Sequence, residues 1–194
     1  MQLSFRASIA RTSLVLVVTT SVAFGGFFLT ISPAYAQNTP ATIGPVAGAP
    51  ASLFIPQIGK RASIVPVDIT PAGALDVPHN FVQAGWYDRG PVVGGIGSAV
   101  IDGHVDNGAA IPGVFKNLHT LVAGDDIYVT NVLGGVSHFK VTSLDIYSVS
   151  AFPSGQIFAD SGQPLLKIIT CYGTYLPQTG TYNDRLVVTA VLVS

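Results

Sequence analysis

The sequence contains no glutamate. All ten of its acidic residues are aspartate, lysine occurs four times, and Met1 is the sole methionine. Glu, Lys and Met are straight-chain residues that lose little rotamer freedom in a helix, and they usually cover its solvent face. A chain of 194 residues that nearly dispenses with them, and carries 21 glycines among many Val, Ile and Thr, is expected to be all-β. At 48% hydrophobic and 10% charged it is not a disordered chain. Nine bases against ten acids exclude a nucleic-acid binder that works by neutralising phosphates.

The first 36 residues are expected to direct the chain rather than to fold with it. Arg6 and Arg11 supply a positive start, residues 13–31 carry no charge, and Ala34-Tyr35-Ala36 forms a small-x-small cleavage pattern. The apolar run is long enough to span a bilayer as a helix, so a cleaved signal peptide and a retained membrane anchor both remain open. On either reading the rest is exported, to the cell surface or beyond. Residues 37–51 are rich in Ala, Pro, Gly and Thr and read as a flexible linker. The folded domain is expected over residues 52–194.

Export gives weight to Cys171, the only cysteine. Exported proteins mostly use cysteines in pairs. A lone one is a buried small hydrophobe, half of an intermolecular bridge, or a reactive thiol.

Short apolar runs separated by Gly, Pro and Asp predict strands at residues 53–55, 64–67, 74–77, 98–101, 127–132, 136–147, 165–170 and 185–193. Gly134-Gly135 marks a hairpin between the fifth and sixth. Residues 113–118 are the one candidate for a short helix. Eight strands in so short a domain suit a closed barrel or a sandwich. In this layout Cys171 closes one strand and Arg185 opens the next. Antiparallel pairing would put both at one end of the sheet. His104 follows another strand, and a parallel pairing of that strand with the Cys171 strand would bring all three together.

Those three side chains can perform acyl transfer. A thiolate attacks a peptide carbonyl to give a thioester. An imidazole protonates the departing amine and later takes a proton from the incoming nucleophile. A guanidinium, permanently charged, supplies donors to the oxyanion.

The residues around them resemble the sortase family. Ile168-Ile169-Thr170-Cys171 is similar to its apolar strand ending in Thr-Cys, and Arg185-Leu186-Val187-Val188-Thr189-Ala190 to its Arg strand. Gly103-His104-Val105-Asp106 is similar to its Gly-His segment, and the order His, Cys, Arg is the family's. Leu53-Phe54-Ile55-Pro56 with Ile58-Gly59 resembles the opening strand. Val77-Pro78, Gly85-Trp86 and Phe152-Pro153 look most like the actinobacterial-type class labelled F. The resemblance spans residues 53–193. It implies an eight-stranded sortase-type closed β-barrel with one or two short helices. It also implies a cysteine transpeptidase that cuts a Leu-Pro-x-Thr-Gly-like sorting signal between Thr and Gly through a thioester. The partners implied are proteins bearing that signal and an amine acceptor such as a cell-wall precursor, with the membrane added if the N-terminus is uncleaved. No cofactor is implied. Cys171 would be the nucleophile, His104 the acid/base, Arg185 the oxyanion or substrate donor, and Thr170 a substrate-binding residue lining the site.

Asp102 departs from the resemblance, since an apolar or small residue usually precedes the Gly-His segment. Its carboxylate would either support positive charge on His104 or point into solvent. Leu176-Pro177-Gln178-Thr179-Gly180 matches the sorting signal itself, as coincidence or as a pseudosubstrate folded back into the groove. His79, His119 and His138 read as surface or loop histidines. No spacing suggests a metal site, Asp125-Asp126 reads as a turn, and Trp86 as core or groove wall. Three other readings stand beside the transpeptidase. An L,D-transpeptidase-type cysteine acyltransferase would need Ser-His-Gly before its Cys, where this chain has Ile168-Ile169-Thr170. A papain-like protease would need its Cys to open a helix. A non-catalytic wall-associated β-domain, in turn, would be expected to have lost one of the three residues.

Overall fold

A computed structural model of the chain describes residues 48–108 and 111–194. The proposed signal or anchor, and the linker up to residue 47, lie outside the described residues. Eight strands close into a barrel: β1 (Pro50–Ile55), β2 (Lys60–Val67), β3 (Ala84–Tyr87), β4 (Gly97–Asp102), β5 (Asp126–Asn131), β6 (Val136–Ser148), β7 (Pro164–Leu176) and β8 (Thr181–Leu192). Around the barrel they run β1-β2-β3-β4-β7-β8-β6-β5, and β5 returns to β1. β1 opens at Pro50, inside the segment read as linker. Among the described residues, helix is confined to one four-residue α-turn, α1 (Ser154–Ile157), and three single 3-10 turns.

Two expectations fail. Residues 74–77 are not a strand; they sit in the β2–β3 connection and make only the isolated bridge Ile69–Leu75. The third strand is Ala84–Tyr87, held in parallel by β2 and antiparallel by β4. Residues 113–118 are not a helix. They form turns that run into the 3-10 turn Leu118–Thr120.

Period-2 alternation sorts the strands into an inner and an outer face. Ala99 and Ile101 of β4, Leu166 and Ile168 of β7, and Leu186 and Val188 of β8 point inward with Phe115, Leu118 and Phe139. Burying each large side chain there contributes about 1.5–3 kcal/mol. Trp86 belongs to this inner core. The alternate residues Val100, Ile169 and Val187 form a second apolar layer on the outside of the same strands. Ile157 of α1 covers it, and Leu75, Tyr87 and Phe152 pack at its margin.

The chain beyond β4 is held from two sides. The His104 carbonyl accepts from Phe115 N–H at 2.9 Å, and the Val105 carbonyl accepts from Gly113 N–H at 2.9 Å. Gly113 lies so close that a Cβ would stand 2.3 Å from the His104 carbonyl oxygen and 2.6 Å from its carbon. Those are backbone atoms and cannot swing aside. Gly113→Ala is therefore expected to cost about 1–3 kcal/mol, as overpacking does, and to displace His104. A lower urea midpoint than wild type at unchanged m-value is the expected result; an unshifted midpoint would show that the segment yields freely.

Candidate active site

The strand pairings set two of the three proposed residues opposite each other and carry the third toward the same end of the sheet. β7 and β8 pair antiparallel with Cys171 directly opposite Arg185. β4 and β7 pair in parallel up to Asp102 opposite Ile169, and Gly103 N–H adds one more bond to the Ile169 carbonyl at 3.2 Å. His104 is two residues past Asp102, as Cys171 is two past Ile169. Cys171 does not end its strand as expected. β7 continues to Leu176, and β7 and β8 run on together as a long hairpin with a bulge after Tyr172.

The outer face of β4, β7 and β8 forms the floor of an open groove of about 810 Å³. Cys171 and Arg185 line it beside Ile169, with Leu75, Ile96 and Phe152 among its apolar walls. The Cys171 thiol is free and half-buried. Arg185 makes no ion pair among the described residues. Its guanidinium donates to the carbonyls of Tyr182 at 3.1 Å and Asp184 at 2.9 Å, and to the Thr181 hydroxyl at 3.2 Å. Neutral acceptors fix its direction without cancelling its charge.

His104 is half-buried and stands beside the groove rather than in its wall. Its ring lies on Phe81, with centroids 4.2 Å apart, and Nε2 is 2.8 Å from the Pro78 carbonyl. A carbonyl only accepts, so Nε2 carries a proton. Nδ1 is then the acceptor nitrogen of the neutral ring. Neither Pro78 nor Phe81 carries a sequence signal for this role. Thr170 borders the groove, but its buried hydroxyl turns away and donates to the Gly103 carbonyl at 2.8 Å. It ties β7 to the residue before His104.

Two buried carboxyls flank His104 in sequence, and the first differs from expectation. Asp102 neither faces solvent nor pairs with His104; it is 4% exposed, and its Oδ1 has no hydrogen-bond partner. Burial, with the charge of Asp76 added, pushes its pKa up to about 8. Asp106 is also buried, but well satisfied. It accepts from Tyr182 Oη at 2.8 Å, Lys116 Nζ at 2.9 Å and Gly108 N–H at 3.0 Å. Burial pushes the Asp106 carboxyl up, but those hydrogen bonds outweigh it and hold the pKa below the ordinary value. Burial and the bond to Asp106 push the Tyr182 phenol up to about 12. Of the remaining histidines, His79 and His119 are exposed, while His138 stacks on Tyr128 and meets Asp126 at 2.7 Å. The Asp125 carboxylate accepts from Val122 N–H, as a turn residue does.

A sequence profile of the sortase domain matches residues 53–193. The chain belongs to the sortase family. Its members are cysteine transpeptidases, and the closed eight-stranded barrel is their fold. Among solved structures, this sortase is similar to sortase A from Corynebacterium diphtheriae, with a TM-score of 0.57 and 22% identity. That match covers 77% of this chain and 62% of the other, so this sortase spans less than two thirds of that relative. It is also similar to sortase C-1 from Actinomyces oris (TM-score 0.58, 22% identity, 74% of this chain and 73% of that one). Sortase C1 of GBS Pilus Island 1 gives 0.57 at 19% identity, over 78% and 66%. At such identities the likeness speaks for the fold. No curated protein matches the sequence.

The sorting-signal match in this sortase is the turn of the β7–β8 hairpin. The Leu176 carbonyl accepts from Thr179 N–H at 3.1 Å and Gly180 N–H at 2.9 Å, and Gly180 takes φ +67°. It begins five residues along the strand from Cys171, about 16 Å at 3.3 Å per residue. No residue of the turn lines the groove, so the folded-back pseudosubstrate is not what the chain adopts.

The Asp106 cluster joins β8 to the segment just past His104, and it generates a pH dependence. A carboxyl whose folded-state pKa is depressed contributes stability above its unfolded value and loses it as pH falls through the folded value. Asp106→Asn is therefore expected to lower stability at neutral pH and to flatten its fall below about pH 4. Tyr182→Phe should cost about 1.5–3 kcal/mol at neutral pH, as loss of a hydrogen bond to a charged group does. Denaturation midpoints from pH 3 to pH 7 test both, and parallel acid limbs in wild type and Asp106→Asn would refute this account.

Proposed function

We propose that this sortase cuts a Leu-Pro-x-Thr-Gly-like sorting signal between Thr and Gly and transfers the acyl part to an amine. The supporting observation is the cross-strand pair of Cys171 and Arg185 at the groove, with His104 beyond the strand alongside. The peptide lies in the apolar groove with its Thr carbonyl at Cys171. The Cys171 thiolate adds to that carbon, and Arg185 donates to the oxygen as it becomes negative. The imidazolium of His104 gives its Nδ1 proton to the Gly nitrogen as the C–N bond breaks, leaving a thioester on Cys171. The incoming amine loses a proton to Nδ1 as it attacks, and the thiolate departs. Because Nε2 stays on the Pro78 carbonyl, the ring performs both transfers without turning.

The acceptor on this reading is an amine such as that of a cell-wall precursor, and the cargo is a set of proteins bearing the signal. The N-terminal segment places the enzyme at the cell surface, as an anchor or after cleavage of a signal peptide. The sequence likeness to class F, resting on residues such as Val77-Pro78 and Gly85-Trp86, belongs to the same proposal.

The test is to incubate the protein with a Leu-Pro-x-Thr-Gly peptide, with and without an amine, and to read the products by mass. Cleavage after Thr, with an amine adduct when amine is present, is expected. Cys171→Ala and His104→Ala should remove turnover. Arg185→Ala should reduce it about 10²–10³-fold, the size found on removing one oxyanion donor. Peptide cleaved equally well by Cys171→Ala would end the assignment.

A further inference from the structure

Asp102 is the one buried charged-type side chain among the groove-lining residues, and the proposed reaction leaves it without a task. It is 4% exposed and its Oδ1 is sealed from water with no donor. Natural proteins rarely leave a buried polar atom this way without a reason. The opposite residue on β3 is Gly85. A Cβ on Gly85 would stand 2.5 Å from Asp102 Oδ1, 2.8 Å from Val67 Cγ1 and 3.1 Å from Pro78 Cδ. The missing side chain leaves a notch, and the carboxyl and Pro78 both lie against it. Pro78 belongs to the β2–β3 connection, residues 68–83. Its carbonyl holds His104 Nε2, and Phe81 from the same connection supports the ring.

We propose that Asp102 is a positioning residue for His104, acting as the seat on which the β2–β3 connection rests so that Pro78 and Phe81 hold the imidazole. The inference rests on the transpeptidase reading for its catalytic meaning, but the seat itself is a property of the fold. A neutral carboxyl suits the seat, since it brings no charge into a notch that has no donor for Oδ1. An ionised one does not. The charged or titratable groups around this region are Asp76 and Asp68 from the connection, the latter paired with Arg89 of the turn after β3, Tyr87 from β3, Asp160 from the segment after α1, Cys171 from β7, Arg185 from β8 and His104 from its own chain segment. Asp76 is the charge that acts on Asp102, and it is negative. Ionisation therefore sets two like charges between β4 and the connection. Relief comes by lifting the connection and admitting water, which takes the Pro78 carbonyl off Nε2.

The direction with pH follows from proton counting. With the connection lifted, the carboxyl is in water and ionised at neutral pH; with it seated, the carboxyl holds its proton up to about pH 8. Lifting releases a proton, so its equilibrium constant rises about tenfold per pH unit up to that value and levels off above it.

The experiment is hydrogen exchange on the full chain in detergent micelles from pH 6 to pH 9, corrected for intrinsic exchange, in wild type and Asp102→Asn. Asn keeps the shape and cannot ionise. Protection of residues 68–83 in wild type should fall about tenfold per unit to pH 8 and then level, while Asp102→Asn stays flat. The side-chain nitrogen resonances of His104 should keep the Nε2–H form throughout in Asp102→Asn and mix tautomers above pH 8 in wild type. Equal exchange profiles in the two proteins, or a His104 tautomer that ignores the substitution, would overturn the proposal. Peptide turnover measured on the same samples separates the two readings. If turnover is absent while the exchange difference stands, the transpeptidase reading fails and the seat survives. Normal turnover without the exchange difference means the reverse.

Discussion

The site depends on one strand pairing, the parallel contact of β4 with β7. Without it, Cys171 and Arg185 would still face each other across a hairpin, since β7 and β8 are close in sequence. His104 has no such local link, being 67 residues from Cys171 in the chain. The register Asp102 opposite Ile169 delivers it, and the Thr170 hydroxyl on the Gly103 carbonyl pins the last step. Parallel pairs are non-local and hold only when both faces are covered. The two apolar layers on β4 and β7 meet that requirement. Ile101 and Ile168 bury inward, while Val100 and Ile169 bury outward under α1.

That double coverage also shapes the groove. An outer layer sealed along its whole length would leave the thiol inaccessible. Here the cover of α1 and the β2–β3 connection is partial, and the uncovered strip exposes Cys171 and Arg185 on a floor that is otherwise apolar. The polar groups around it are fixed by neutral partners. Arg185 rests on carbonyls and a hydroxyl, and His104 rests on a carbonyl. Carboxylates in those places would cancel the guanidinium charge and hold the imidazole protonated by attraction. Carbonyls orient both groups while leaving their charge and proton available to a substrate.

Legibility in the sequence follows locality. The strands around Ile168 and Val188 were readable because long β-branched runs bounded by turn residues suit few other structures. The meeting of Cys171 with Arg185, and of both with His104, was readable as a condition on pairing, and the barrel meets that condition. β3 was missed because Ala84–Tyr87 is only four residues long and contains Gly85, which locally signals a break. Residues 74–77 offered the better local pattern. What decides against them is tertiary: β2 and β4 both need a partner with no side chain where Asp102 sits, and Gly85 alone supplies it. α1 is a single turn, too short to show a helical period. Pro78 and Phe81 gave no warning, since a main-chain carbonyl under an imidazole has no residue-type signature.

Asp102 shows why the outer face of a strand was misjudged. Alternation places it outward with Val100, and on a barrel with one covered face outward means solvent. A carboxylate there would be unremarkable on the surface, and both sequence readings treated it as charged. The second apolar layer reverses this. Once Leu75, Tyr87 and Phe152 pack over the outer face, the residue at the end of β4 is inside a wall, and its proton becomes part of the structure. The neighbouring Asp106 faces the opposite situation four residues on. Lys116, Tyr182 and the Gly108 N–H make ionisation the favoured state there. Two aspartates flank His104 at equal distance in sequence, one pushed toward its neutral form by burial and the charge of Asp76, and one held charged by three hydrogen-bond donors. The neutral one borders the connection that carries Pro78, and the charged one secures the chain beyond the histidine to β8. His104 is thus held on one side by a contact that a negative charge would loosen, and on the other by contacts that need one.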